Sequence, residues 1–173
     1  MFQGWDSFYL LIGGAAGALI GLMFVVATLT SGRDRTAASR GASIYMTPVV
    51  FHFAVVLVIG ALALAPGIKT GAAGMIILAC ALGGLAHAVS IVVRLNKPVG
   101  PEPPHWSDVW CYGVAPAAIY VGLVGAAVAI WIAPAVAADG IAAALLALLL
   151  MSVRNAWDLV TWLAPGADKP PAP

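Results

Sequence analysis

Charge is what this 173-residue sequence has least of. It holds eight Lys and Arg and seven Asp and Glu, 9% of the chain, for a net charge of +1. An average soluble domain carries about 25% charged residues, so a globule with this supply cannot cover its surface. Two cysteines exclude a disulfide-built secreted scaffold, and the lack of a basic patch excludes a reader of nucleic acid. The sequence has no G-x-S-x-G elbow, no H-E-x-x-H pair and no glycine-rich phosphate loop before a basic residue, so nucleophilic, zinc-protease and nucleotide chemistries have no carrier.

Apolar residues are abundant instead: 62% of the chain, with a mean hydropathy of +1.01. They fall in five runs, about residues 8–30, 47–65, 71–93, 109–133 and 141–163. At 1.5 Å per residue each covers roughly 27 Å or more, enough for the hydrocarbon core of a bilayer. Barrel strands would alternate apolar and polar residues, and these runs do not. The expected fold is all-α, a five-helix transmembrane bundle forming a single domain over residues 1–165, with a disordered proline-rich tail at 166–173.

Sidedness follows from the connectors. Arg33, Arg35, Arg40, Arg94, Lys97 and Lys169 fall on one side and only Lys69 on the other, which places the amino terminus outside and the carboxyl terminus in the cytoplasm. The expected location is the inner (plasma) membrane. Trp5, Phe8, Tyr9 and Trp131 then sit at the outer boundary, and Tyr45, Trp106, Trp110, Tyr112, Trp157 and Trp162 toward the inner one, the level aromatic rings prefer. Thr47 is the expected cap of the second helix, with Pro48 as its first residue, and Ser107 or Asp108 the cap of the fourth. The first apolar run is too long for a signal-peptide core and its charge follows it.

Two stripes of small residues mark packing faces. Gly13, Gly17 and Gly21 form overlapping G-x-x-x-G steps, suited to contacts within the bundle or to an interface between copies. Cys111, Ala115, Ala118, Gly122 and Gly125 form the second stripe. The expected partners are the lipid bilayer and either further copies of this chain or another membrane subunit.

Candidate site residues cluster in the inner half. His52 lies about one turn inside the boundary, His87 roughly 10 Å from it, and Arg154, Asn155 and Asp158 precede Leu163 by five to nine residues. Gly83, His87, Ser90 and Arg94 share one helical face, as do Arg154, Asp158 and Thr161. Three readings compete. In the first, Arg154 and Asp158 neutralise each other, Arg94 snorkels, and the histidines donate to nearby carbonyls or serines. In the second, the cluster is a polar vestibule or relay for a proton, small ion or solute, since histidine titrates near neutrality. In the third, His52 and His87 are the axial ligands of one b-type haem, with Gly83 and Gly84 leaving room for the macrocycle and Arg94 or Arg154 meeting its propionates.

A zinc or copper site is weaker, because no carboxylate or cysteine stands at short spacing from the histidines. A lipid-phosphate site built from Arg33, Arg35, Arg40, Arg94 and His105 competes with topogenic charge. The leading expectation is a channel or transporter, and the alternative of a different class is an accessory subunit with no site of its own.

Overall fold

The computed structural model describes residues 2–30, 45–96 and 105–163, and all regular structure within them is helical. Helix α1 is Asp6–Thr30, α2 is Thr47–Leu64 and α3 is Thr70–Leu95. Helix α4 spans Trp106–Ala129, and α5 is Pro134–Leu163. All five are long and apolar enough to cross a membrane. The proline-rich connector, Arg33, Arg35, Arg40, Lys97 and the 166–173 tail lie outside the described residues.

Helices α2, α3, α4 and α5 close a ring of neighbouring antiparallel pairs, and α1 packs outside it against α2 and α5. Burial follows this placement: half of the apolar window of α5 is buried, against 22% for α1. Small residues set each close approach. Gly13 of α1 crosses α2 at Gly60, where an added Cβ would stand 3.3 Å from the Tyr9 carbonyl oxygen and 3.4 Å from the Gly13 Cα. Gly17 faces Leu57, whereas Gly21 faces open space. The first stripe is therefore a seam within the chain over its outer half only. On α3, Gly74 lies under the Trp131 indole and Gly84 under the Tyr120 ring, so two aromatics from α4 and its following turn fill notches that any side chain would close. The second stripe behaves differently: Ala118, Gly122 and Gly125 are exposed, with nothing near the two glycines.

The end of the bundle where α2 and α4 begin and α1, α3 and α5 finish carries Asp108, Arg94, Arg154 and Asp158, and is here called the polar end. Helix α5 begins seven residues before its expected start, because Pro134 opens it and an alanine-rich stretch continues it. The cap of α4 is His105, whose ring nitrogen accepts from the Ser107 amide, and not Ser107 or Asp108. Met46 bounds α2, and Thr47 already belongs to the helix. Trp106, Trp110, Trp131 and Trp157 are exposed as boundary aromatics should be, but Tyr9 and Tyr112 are buried core residues.

A π segment, Trp110–Val114, interrupts α4. Pro116 explains it. Its ring would clash with the Tyr112 carbonyl four residues back and offers no N–H to it, and widening the preceding turn relieves the clash. In the π register the Ala115 amide bonds to the Trp110 carbonyl. The Cys111 carbonyl then loses both backbone partners: Ala115 donates elsewhere and Pro116 cannot donate.

Candidate functional site

Two polar groups form near the polar end, built by different helices. The first joins α2, α3 and α4. His52 projects from α2 about 8 Å from its start and His87 from α3 about 12 Å from its end. The rings meet with centroids 6.3 Å apart and planes at 78°. His52 is fully buried, and its Nδ1 shares a 2.9 Å hydrogen bond with the Tyr120 hydroxyl. Tyr120 starts about 20 Å along α4, but helical side chains lean toward the amino end, so its hydroxyl returns to the depth of His52. The Gly84 notch seats its ring. Phe51 stacks on His87 at 4.5 Å, and Ser90 donates to the His87 carbonyl at 2.7 Å. The Nε2 atoms of both histidines are buried and have no hydrogen-bond partner among the described residues.

The second group joins α4 to α5. Asn155, buried within α5, donates from Nδ2 to the Cys111 carbonyl at 2.8 Å, the acceptor orphaned by the π segment. The Tyr112 hydroxyl lies 3.0 Å from the Asn155 carbonyl and 3.3 Å from Asp158 Oδ2, so one proton is shared between two acceptors. The Arg154 guanidinium donates to Asn155 Oδ1 at 3.1 Å. Tyr45, just ahead of α2, packs its ring edge-on against Tyr112 with centroids 5.0 Å apart, and its hydroxyl lies 3.4 Å from Asp108 Oδ2. Burial first, and then the Asp108 carboxylate, push the Tyr45 phenol above its ordinary pKa.

The structure thus brings His52 to His87, and Arg154, Asn155 and Asp158 to Tyr112. No hydrogen bond among the described residues joins the two groups. Arg154 and Asp158, expected as a pair from their spacing, make no ion pair; each is satisfied by another residue. Both are exposed, and neither depends on the other for its hydrogen-bond partner. The costs of Arg154→Gln and Asp158→Asn are therefore expected to add, with a coupling below about 0.5 kcal/mol in a double-mutant cycle of detergent melts. A double variant clearly milder than the sum of the two would restore the pair.

Among the described residues neither Nε2 atom meets a carbonyl or a serine, and the partner that His52 has on the next helix is the Tyr120 hydroxyl at Nδ1. A macrocycle does not fit between them as placed. Tyr120 fills the Gly84 notch, Gly83 faces away, and Phe51 covers His87. Among the described residues no third His, Cys, Asp or Glu joins the pair, and Cys80 and Cys111 are free thiols. In the sequence Tyr112 stands out only as one of the boundary aromatics, and Tyr120 is not singled out. The signal that could have found Tyr120 is its pairing with a glycine on the neighbouring helix, which spacing within one helix does not reveal.

No family model, curated protein or solved structure matches this chain.

Proposed function

We propose that this chain is a multi-pass membrane protein that passes protons, or a small ion handled in the same way, through a Tyr120–His52–His87 relay in the half of the bundle nearer the cytoplasm. The observation that carries this reading is the pair of buried, unpartnered Nε2 atoms on rings 6.3 Å apart. A buried polar atom without a partner costs about 1–3 kcal/mol; among the described residues the Tyr9 hydroxyl is a third such atom, and these two on adjoining rings favour a site meant to be occupied. An imidazole can take a proton at one nitrogen and release it from the other. Tyr120 addresses Nδ1 of His52, which leaves Nε2 as the exit toward His87. The connector charges support an outside amino terminus and a plasma-membrane location.

Proteoliposomes loaded with a pH-sensitive dye test the reading. Under a potassium-valinomycin potential, wild-type protein should acidify or alkalise the lumen well above empty vesicles. His52→Asn and His87→Asn should each lower the rate by about 10²-fold, the contribution expected of a positioned proton-transfer group. Wild-type flux no higher than that of empty vesicles would favour the accessory-subunit reading. A Soret band that shifts on reduction would replace the relay with a haem.

A further inference from the structure

We propose that His52 and His87 also form a two-coordinate site for a monovalent, soft transition-metal ion, copper(I), held between their Nε2 atoms. The inference rests on the reading that the two histidines act as one interior site, and it names a ligand class that a proton relay does not require.

Four observations carry it. Two imidazole nitrogens bonded to one ion at about 2 Å each hold their ring centroids roughly 6 Å apart, and the centroids here stand at 6.3 Å. Both Nε2 atoms are buried and unpartnered, so no existing hydrogen bond must break for a metal to enter. The other nitrogen of His52 is already held by the Tyr120 hydroxyl at 2.9 Å. Metal-binding histidines show the same feature, the second nitrogen fixing ring orientation and tautomer; Nδ1–H would donate to the tyrosine oxygen and leave the Nε2 lone pair free.

The fourth observation is the donor set, which selects the ion. Imidazole suits copper and zinc alike, but zinc requires about four ligands, and no third ligating side chain is present among the described residues. Copper(I) has a filled d shell and accepts two nitrogen donors in line. Charge points the same way. Neither ligand is anionic, and no Asp or Glu among the described residues joins the pair, so nothing offsets a buried ion. The cost of burying an ion rises steeply with its charge, which favours a monovalent cation over any divalent one. Near-perpendicular imidazole planes, at 78°, are no obstacle to a linear N–metal–N axis.

The experiment is an anaerobic competition between the full-length protein in detergent and bicinchoninate for copper(I), with zinc(II) run in parallel. One copper(I) per chain and no stoichiometric zinc is expected. His52→Asn or His87→Asn should weaken copper binding by at least about 100-fold. Tyr120→Phe, which keeps the ring in its notch but loses the hydroxyl, should weaken it by about 10- to 100-fold. X-ray absorption on the copper-loaded protein should show two nitrogen scatterers and no sulfur. The melting temperature and elution volume of each metal-free variant establish that it is folded.

Copper uptake unchanged in a folded His52→Asn/His87→Asn double variant would overturn the proposal. So would a sulfur scatterer lost in Cys80→Ser, or tighter binding of zinc than of copper(I). Histidine-dependent proton flux in a protein that takes up no copper(I) would refute this inference alone and leave the relay standing. Copper binding without flux would refute the relay and leave the metal site.

Discussion

Asn155→Asp is expected to be the most damaging single-atom exchange in the chain, lowering detergent stability by more than about 3 kcal/mol. The amide of Asn155, a buried residue, donates to the Cys111 carbonyl at 2.8 Å. A carboxylate of the same shape would set an acceptor against that acceptor and bury a charge, a substitution of the class that reaches the large end of the mutational range. Asn155→Leu removes the donor without adding charge. Its cost should stay near that of one unsatisfied buried carbonyl, about 1–3 kcal/mol. The order Asp worse than Leu, read from thermal melts monitored by circular dichroism, identifies the amide as the donor. Equal melts for Asp and wild type would refute it.

Pro116 supplies the complementary test. Because the proline forces the π segment and so orphans the Cys111 carbonyl, Pro116→Ala lets Ala115 return its N–H to Cys111. In the Asn155→Leu background Pro116→Ala should recover much of the lost stability. Two single effects that simply add would mean that Asn155 and the π turn are independent. The linkage has a functional side as well: Tyr112 lies within the π turn and Tyr120 follows it, so the register of α4 sets where both hydroxyls stand.

That register was not legible in the sequence. The five helices were, because lipid-length apolar runs separated by charged connectors have few other solutions, and counting residues along α2 and α3 put His52 and His87 on a level, where their rings meet. What failed is informative. Arg154 and Asp158 stand four apart on one helix, a spacing that permits an ion pair but does not compel one when Asn155 and Tyr112 compete for the same groups. Tyr9 and Tyr112 sit near helix ends by number, yet their neighbours bury them. The stripe Gly13, Gly17, Gly21 reads as one face, but only Gly13 and Gly17 meet α2 and Gly21 faces open space, since each four-residue step drifts about 40° around the helix. Each error concerns which residue of another helix lies opposite, and periodicity within one helix carries no such information.

The Gly84 contact turns that missing information into a second large expected effect. A Cβ at Gly84 would overlap the Tyr120 ring, whereas at Gly83 or Gly21 it would meet nothing. Alanine gains up to about 1 kcal/mol over glycine in a helix, so Gly83→Ala and Gly21→Ala should be neutral or slightly stabilising. Gly84→Ala gains the same propensity but must expel a fully buried ring. Overpacking of this kind costs about 1–3 kcal/mol and at times more. The loss extends to the site, because a displaced Tyr120 cannot keep its 2.9 Å bond to His52. Proton flux should therefore fall with stability in Gly84→Ala. Adding Tyr120→Leu, which shortens the opposing side chain, should restore the melting temperature and not the flux. If Gly84→Ala melts with Gly83→Ala, the ring does not sit on that glycine, and the hydroxyl that orients His52 must come from elsewhere. If the double variant regains flux along with stability, Tyr120 serves packing alone and the relay begins at His52.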